Sequence, residues 1–365
     1  MQPLIGLHVL DLSRALAGPL ATMLLGDQGA DVIKVERRGR GDESREWGPP
    51  FDSRGESAYY MACNRNKLGV AADLDIAADR DFLRELISGA DVVVDNYRRG
   101  MLERRGLDPA DLIVEHPSLI WCTITGFGAA SPRPGYDFVV QAEAGWMSIT
   151  GEVSGAPMKM GVALADVIAG KDAAIAILAC LAGGGRGRAV ERRLFVSLQH
   201  SAVSALVNVA QNALVTGHEA ARWGNSHASL VPYELFQAAD RAIVIAVGND
   251  AQFAALVRVL DTGALADKAF ATNAGRLGHR EAVVRAIRER VARRSADEWI
   301  QLLERAGVPC GIVRSVLEAL RDVASSSALT GVAPLPPSEV RRPPPRLDEH
   351  GVLVRARSWS AFARP

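Results

Sequence analysis

An unbroken apolar run between residues 173 and 182 constrains the fold more than any other feature of the sequence. Its residues, AAIAILACLA, are mostly good helix formers and predict a buried helix. One carboxylate, Asp166, precedes the run among small and apolar residues and falls at or just before the first helical turn. The helix dipole favours an anion there by roughly 0.3–1 kcal/mol. Asp166 is therefore either a helix cap or a functional acid kept in poorly solvating surroundings.

Short apolar strands alternate with helical segments through the first half of the chain. Strand-like runs occur at 8–12, 30–35, 91–95 and 119–124. This alternation predicts an α/β fold with a doubly wound, mostly parallel, Rossmann-like sheet. A nicotinamide dinucleotide fingerprint needs a G-x-G-x-x-G turn, but the first turn contains only Gly18. We therefore reject nicotinamide binding.

Three polar or glycine-bearing segments follow predicted strands, at 36–38, 96–100 and 125–128. The carboxyl ends of parallel strands meet at one edge of the sheet, which is where ligands of such folds bind. Arginines in the first two segments suit a phosphate-bearing ligand, because a guanidinium matches phosphate oxygens. Any one of these arginines alone is typical of a solvated surface. Their shared position favours the binding interpretation.

The second half of the sequence predicts a change of domain. We expect one long amphipathic helix from Phe195 to Leu214, followed by a mixture of strands and helices. After residue 326 proline dominates, which predicts an extended segment that lies across other surfaces. The predicted domains are a large α/β domain at 1–215, a small α+β domain at 216–325 and a proline-rich segment at 326–365 that returns to the large domain.

The composition excludes several classes of function. The 42 basic and 42 acidic residues cancel, so no overall field attracts nucleic acid or an anionic membrane. The longest apolar run is too short for the ~20 residues that span a bilayer, and no signal-peptide pattern opens the chain. We therefore expect a cytoplasmic protein. The four cysteines lack metal-ligand spacing, so we expect reduced core residues and no metal.

Several motifs, taken in order, resemble the family III CoA-transferases. They are ADVIKVER at 30–37, NRNK at 64–67, PGYD at 134–137, GVA at 161–163 with Asp166, and GND at 248–250. Within the family, the segments at 41–51 and 222–227 are most similar to the succinyl-CoA:glutarate (hydroxymethylglutarate) CoA-transferase branch. The resemblance implies transfer of CoA from an acyl-CoA such as succinyl-CoA to a carboxylic acid such as glutarate. It also implies an interlocked homodimer and no cofactor beyond CoA as a substrate.

The resemblance also implies which residues form the site. Asp166 is the expected nucleophile, with aspartyl anhydride and aspartyl-CoA thioester intermediates. Expected CoA contacts are Leu16, Ala17, Arg37, Ala72, Asp73, Leu74, Asn96, Tyr97, Arg98, Arg104, Tyr136 and Asp137. Arg45 and His227 are candidate contacts of a dicarboxylate acceptor or, equally well, structural loop residues. Gly248 and Asn249 are further candidate substrate contacts.

Two alternative functions stay open at this point. One is an α-methylacyl-CoA racemase, which needs two proton carriers. Tyr136 stands where racemase relatives carry a histidine, and a phenol is a poor base at neutral pH. The other is a non-catalytic CoA-binding subunit, for which a carboxylate at 166 has little use. The segments 183–194 and 347–365 depart from the family pattern, and the loop at 248–250 lacks the glycine run expected of an oxalate acceptor site.

Overall fold

The chain divides into two compact units. The computed structural model describes residues 2–184 and 189–363. Residues 1–147, 159–219 and 323–365 form the first unit, and residues 148–158 and 220–322 form the second. The predicted large domain includes the whole of 1–215, whereas residues 148–158 group with the second unit in the structure. There Arg222 donates hydrogen bonds to the carbonyl oxygens of Glu152 and Gly155.

Strands and helices alternate along the described residues. The strands are β1 (His8–Asp11), β2 (Asp31–Arg37), β3 (Lys67–Ala72), β4 (Val92–Asp95), β5 (Ile120–Thr125), β6 (Arg193–Ser197), β7 (Tyr233–Gln237), β8 (Ala242–Ala246) and β9 (Cys310–Ile312). The α-helices are α1 (Ala17–Asp27), α2 (Ala58–Met61), α3 (Ala77–Ser88), α4 (Pro109–Glu115), α5 (Asp137–Glu143), α6 (Trp146–Ile149), α7 (Leu164–Ala182), α8 (Ala189–Arg192), α9 (Leu198–Ser204), α10 (Asn208–Thr216), α11 (Asp250–Leu260), α12 (Asn273–Gly278), α13 (Arg280–Val291), α14 (Ala296–Arg305), α15 (Val316–Leu320) and α16 (Gly351–Arg357).

The first unit is built on a six-stranded sheet in the order β3-β2-β1-β4-β5-β6, with every neighbouring pair parallel. This confirms the doubly wound parallel sheet predicted from the sequence. Successive side chains of β1 enter opposite faces: Leu10 packs in the core that contains α3, and Val9 in the core that contains α1 and α7. The strand order reverses between β1 and β4, where ligands of such sheets bind.

The predicted helix is α7, but only one face of it is buried in this chain, since Ile175 within the apolar run is 63% exposed. The buried face packs closely against α1. Ala165, Ala169, Ala173 and Ile177 of α7 are buried in the same core as Ala17 and Ala21 of α1. The two backbones approach closely at Gly170, where a Cβ atom would lie 2.6 Å from the carbonyl oxygen of Ala17. A glycine is therefore required at this crossing, one turn beyond Asp166.

The prediction of one long helix at Phe195–Leu214 is wrong. Residues 193–197 form β6, which adds a sixth strand beside β5, and α9 and α10 follow it. Val207 lies between these helices at a φ of 41°, which ends the helical path. A short apolar run has the same pattern in a strand and in a helix, so periodicity alone does not distinguish the two. Residues 193–197 form a strand because they pair with the free edge of β5. Of the atypical segment 183–194, residues 185–188 lie outside the described residues.

The second unit contains the antiparallel sheet β7-β8-β9. Phe236 and Ile243 from this sheet share a core with Trp299 of α14 and Ile287 of α13. The mixture of a small antiparallel sheet with helices agrees with the α+β character predicted for this part of the chain.

The C-terminal segment covers the outer edge of β3 within the first unit. The backbone N–H of Gly69 donates to Nδ1 of His350 over 3.2 Å, and the backbone N–H of His350 donates to the carbonyl oxygen of Gly69 over 2.9 Å. The N–H of Ala71 donates to Oδ1 of Asp348 over 2.7 Å. These bonds satisfy groups that an open sheet edge would expose to pairing with another chain.

Four cysteines are free thiols, with Cys63 and Cys122 buried and Cys180 and Cys310 partly buried. Across residues 2–184 and 189–363, no helix has the length and apolarity needed to cross a membrane. Among the same residues, no group of three or more His, Cys, Asp or Glu side chains is arranged to hold a metal ion.

The Gly170 crossing gives a first prediction. Gly170→Ala should destabilise the protein by about 1–3 kcal/mol, because its methyl group meets a backbone oxygen that cannot rotate away. The midpoint of urea unfolding measures the effect. Gly183→Ala is the matched control at the end of the same helix, since φ is −70° and the nearest atom lies 3.4 Å from the added Cβ. Equal midpoints for Gly170→Ala and the wild type would contradict the prediction.

Candidate active site

A cavity of about 930 Å³ lies at the carboxyl edge of the large sheet, and all of its lining residues belong to the first unit. Its walls come from the loops that follow β1, β4 and β5 and from the starts of α5 and α7. The cavity therefore includes the point where the strand order reverses. A volume of this size accommodates a ligand larger than a simple organic acid.

The loop after β1 is clamped to the loop after β4. The backbone N–H of Arg14 donates to Oδ1 of Asn96 over 3.0 Å, and Nδ2 of Asn96 donates to the carbonyl oxygen of Arg14 over 2.8 Å. Ala15 adopts a left-handed backbone conformation with φ of 68°, which costs an L-residue roughly 1–2 kcal/mol. Its N–H donates to Oδ1 of Asp42 over 3.1 Å. Tertiary hydrogen bonds thus hold a strained turn at the cavity wall.

Buried charges support this turn from beneath. Nζ of Lys34 donates to Oδ2 of Asp42 over 3.0 Å and to the carbonyl oxygen of Ser13 over 2.9 Å. Asp11, at the end of β1, accepts from Nζ of Lys67 over 2.8 Å and also from Ser13. Burial opposes ionisation of Asp11, yet the two lysines hold its pKa below the usual range. Each charge in this network has a hydrogen-bonded counter-charge, which burial requires.

Asp166 lies in the first turn of α7, but it does not cap the helix. The residue before the helix, Ala163, makes no side-chain cap. Instead Oδ1 of Asp137 accepts from the N–H groups of Ala165 over 2.8 Å and Asp166 over 3.4 Å. Oδ2 of Asp137 accepts from Nε2 of Gln141 over 2.6 Å. The helix-cap interpretation of Asp166 is therefore wrong, and the carboxylate of Asp137 takes that place.

The surroundings of Asp166 disfavour its ionised form. Burial, together with the negative charge of Asp137, raises the pKa of Asp166 to about 7. Among the described residues, no lysine or arginine forms an ion pair with it. The Asp166 carboxyl therefore changes protonation near neutral pH, a property common in functional acids and unusual in structural ones.

An aromatic wall lies beside Asp166. Tyr59 and Trp47 both line the cavity, and their rings meet edge to face with centroids 4.9 Å apart. Burial and the nearby charge of Asp166 raise the pKa of Tyr59 to about 12, so the phenol stays neutral. Apolar ring surface next to a carboxyl group lowers the local solvation of charge and is consistent with the raised pKa of Asp166.

A second carboxylate, Asp95, is held at the end of β4. It accepts from Nε1 of Trp121 over 2.6 Å, from Oγ1 of Thr123 and from the backbone N–H of Tyr97. Burial raises the pKa of Asp95. Nη1 of Arg193, on β6, donates to Oγ1 of Thr123 over 2.8 Å, which fixes the guanidinium at the cavity.

The structure brings most of the predicted site together. The predicted residues that line the cavity are Leu16, Ala17, Asn96, Tyr97, Arg98, Tyr136, Asp137 and Asp166. Asn96 uses both polar side-chain atoms on the backbone of Arg14, so it positions the wall. Arg37 and Ala72 are register partners at the ends of β2 and β3. The other predicted CoA contacts do not line the cavity: Arg37, Ala72, Asp73, Leu74 and Arg104.

The candidate acceptor contacts have other surroundings. Arg45 binds Glu36 and Glu56 over 2.7 and 2.6 Å and lies over the ring of Tyr60, which accounts for its buried charge. Of the two roles predicted for Arg45, these contacts favour the structural one. His227, Gly248 and Asn249 belong to the second unit. Asn249 caps α11 there by accepting from the N–H of Gln252.

Several residues that line the cavity are not among those predicted from the sequence. They are Arg14, Glu43, Trp47, Tyr59, Thr123, Arg133, Lys159, Arg193 and Phe195. Phe195 stands at the start of the segment predicted as a helix, and Arg193 lies in the atypical segment 183–194, to which no site residue was assigned. Glu43 and Trp47 belong to the segment 41–51 that resembles one branch of the family, but the resemblance assigned them no role, and only the folded chain brings them, Arg14 and Tyr59 to the cavity of Asp166.

Comparison with known proteins assigns the family. The model of CoA-transferase family III matches residues 4–351. The chain belongs to this family. A succinate–glutarate CoA-transferase of Agrobacterium fabrum is 39% identical over 97% of this chain and 95% of its own length. The human succinyl-CoA:glutarate CoA-transferase is 41% identical over 87% of this chain and 73% of its own.

The fold agrees with this assignment. The crystal structure of a CAIB/BAIF family protein from Brucella suis superposes with a TM-score of 0.86 and 37% identity, covering 97% of this chain and 99% of that one. The protein is a family III CoA-transferase, as the motifs in the sequence predicted. Acyl-CoA thioesters and carboxylic acids are the substrates of this family of enzymes.

The electrostatics of Asp166 give a second prediction. With aspartate labelled with ¹³C at Cγ, the resonance that Asp166→Asn removes should titrate with a midpoint of about 7. Asp137→Asn should lower that midpoint, because it removes a neighbouring negative charge and leaves an amide oxygen to accept the N–H groups of α7. Carbon NMR across the pH range measures both. A midpoint that Asp137→Asn leaves unchanged would show that the charge of Asp137 does not act on Asp166.

Proposed function

We propose that this family III CoA-transferase moves CoA from succinyl-CoA to a dicarboxylic acid such as glutarate, with Asp166 as the nucleophile. The observation that carries the mechanism is the carboxyl group of Asp166. It lines the cavity at the start of α7, and it has a raised pKa and no cationic partner among the described residues. A carboxylate without a counter-charge is a better nucleophile than one held in an ion pair.

The first half of the proposed reaction loads CoA onto the enzyme. A carboxylate oxygen of Asp166 attacks the thioester carbonyl, and the carbon–sulfur bond breaks to give a mixed anhydride and the CoA thiolate. The thiolate then attacks the Asp166 carbonyl, expels the donor carboxylate and leaves an aspartyl-CoA thioester. Each step exchanges one activated acyl group for another, so no external energy source is needed.

The second half returns CoA to the acceptor. The acceptor carboxylate attacks the carbonyl carbon of the aspartyl thioester. The carbon–sulfur bond breaks, so the thiolate leaves and a second anhydride joins Asp166 to the acceptor. The thiolate then attacks the acceptor carbonyl, which yields the new acyl-CoA and restores the Asp166 carboxylate. Every addition passes through a tetrahedral oxyanion. We assign its stabilisation to the N–H groups of Leu16 and Ala17, because the first N–H groups of a helix have no partner within it.

The exclusion of water matters for this chemistry, because both anhydrides hydrolyse readily. The apolar side of the cavity near Asp166, with Trp47, Tyr59 and Val162, supports a poorly solvated site. The same surroundings raise the pKa of the nucleophile, which costs reactivity below neutral pH. The apolar surroundings therefore lower the ionised fraction of Asp166 and also protect its acyl derivatives from hydrolysis.

The choice of substrates rests on the relatives. Proteins that are 39% and 41% identical carry the names succinate–glutarate and succinyl-CoA:glutarate CoA-transferase. Exposed Arg98 and Arg99 at the mouth of the cavity suit the phosphates of CoA. The interlocked homodimer and the cytoplasmic location stay predictions from the sequence.

A third prediction tests the nucleophile. Asp166→Asn should abolish CoA transfer and leave the affinity for CoA within about tenfold of the wild type, because the amide occupies the same volume but does not form the anhydride. Transfer is followed by chromatography of succinyl-CoA and glutaryl-CoA, and affinity by calorimetry. Brief incubation of the wild type with succinyl-CoA, followed by hydroxylamine, should modify Asp166 in intact-protein mass spectra. Normal turnover by Asp166→Asn would refute the mechanism.

A fourth prediction concerns pH. Only ionised Asp166 attacks the thioester, so kcat/KM for the acyl-CoA should rise with pH through a midpoint of about 7. Asp137→Asn should move this limb to lower pH, since the pKa of Asp166 falls when the neighbouring charge is removed. Initial rates in buffers of constant ionic strength give the profile. A profile that is flat across this range would exclude Asp166 as the titrating nucleophile.

A further inference from the structure

We propose that Arg14 selects dicarboxylates by binding the carboxylate that does not react with Asp166. This inference rests on the proposed function and adds a specificity-determining residue to it. The residues concerned form a continuous part of the cavity wall, here called the acyl wall: Arg14, Glu43, Trp47 and Tyr59. Each faces the same cavity as Asp166, and all belong to the first unit.

Asp166 and Arg14 line the same cavity, with the residues of the acyl wall beside them. Tyr59 lies close enough to Asp166 to respond to its charge. The ring of Tyr59 meets that of Trp47 at 4.9 Å, and Trp47 directly follows the 3₁₀ turn Glu43–Glu46. Glu43 in turn lies 3.5 Å from Nη1 of Arg14. In the proposed arrangement, an acyl group attached to Asp166 lies against the aromatic surface of Tyr59 and Trp47 and meets the guanidinium of Arg14 at its far end.

The guanidinium of Arg14 has N–H donors without a hydrogen-bond partner among the described residues. Its Nε is buried and has no hydrogen-bond partner within residues 2–184 and 189–363. Its contact with Glu43 is an ion pair at 3.5 Å without a hydrogen bond, and its guanidinium lies 5.2 Å from the centre of the Tyr97 ring. The side chain as a whole is 28% exposed, so its remaining N–H donors are available to an incoming acceptor. A carboxylate accepts two parallel N–H bonds from a guanidinium and suits these donors.

The position of Arg14 is fixed by its backbone and not by its side chain. Asn96 binds both the N–H and the carbonyl oxygen of residue 14. Asp42 accepts from the N–H groups of Ala15 and Ser44, so one buried carboxylate joins the loop of Arg14 to the turn of Glu43. The acyl wall is therefore a built surface, and replacement of the Arg14 side chain leaves its supports in place.

Charge distinguishes this site from a phosphate site. Glu43 beside Arg14 offsets part of the positive charge, which disfavours a phosphate dianion more than a carboxylate monoanion. Arg98 and Arg99 are exposed, and no ion pair of theirs occurs among the described residues, so they are better placed to meet phosphates. The geometry assigns Arg14 to the acyl group and leaves the CoA phosphates to the arginines after β4.

The experiment compares glutarate with its monomethyl ester as acceptors at saturating succinyl-CoA. In the wild type, kcat/KM for glutarate should exceed that for monomethyl glutarate by about 10- to 100-fold, because the ester does not replace the second carboxylate. In Arg14→Met this ratio should collapse to within about threefold, mainly through loss of activity with glutarate. Arg14→Lys, which keeps the charge but not the paired donors, should fall between the two.

Controls separate this inference from other causes. Arg40→Met removes an exposed guanidinium that pairs with Glu46 at the surface, and it should retain the wild-type ratio. The affinity of Arg14→Met for CoA, measured by calorimetry, should stay within about threefold. A wild type without discrimination, an Arg14→Met variant that keeps the ratio, or an equal loss of CoA affinity would each overturn the assignment. A wild type that transfers CoA to neither acid would instead refute the proposed function.

Discussion

The buried carboxylate of Asp42 links the parts of the structure on which the cavity depends. It neutralises Lys34 beneath the sheet edge and accepts N–H bonds from Ala15 and Ser44. These bonds offset the cost of the left-handed conformation of Ala15 and fix the start of α1. They also place the 3₁₀ turn that presents Glu43 and Trp47. Because both charges are fully buried, neither retains water as an alternative partner, so the arrangement is specific.

The position of this network follows from the topology of the sheet. β1 and β4 are neighbours in space although β2 and β3 lie between them in sequence. Their following loops diverge, which opens a crevice, and Asn96 bridges it by binding the backbone of Arg14. The fold thus supplies a cavity wall with fixed main-chain geometry. Side chains on that wall are free to specify a ligand without supporting the fold themselves.

Two carboxylates, Asp137 and Asp166, lie at the N-terminus of α7 and have different surroundings there. Asp137 takes the N–H groups at the start of α7 and keeps its hydrogen bond from Gln141. Asp166 is left with burial and a like charge, both of which raise its pKa. The close contact of Gly170 with Ala17 anchors α7 one turn further along. Packing therefore holds the acid in place, while no side-chain hydrogen bond to its carboxyl group occurs in the part of the chain that the structure describes, a combination suited to a nucleophile.

The sequence by itself determined the parallel sheet, the helix α7, the family and the position of Asp166, because periodicity and ordered motifs are local properties. Packing against α1 decided which face of α7 is buried. It did not determine β6, since an apolar run becomes a strand only beside the free edge of β5. It also left open whether Arg45 binds substrate, and Glu36, Glu56 and the carbonyl oxygen of Pro345 engage it instead. Only the tertiary structure decided which charges are buried together, because nothing in the local sequence pairs Lys34 with Asp42 or Lys67 with Asp11; the folded chain brings each pair into contact.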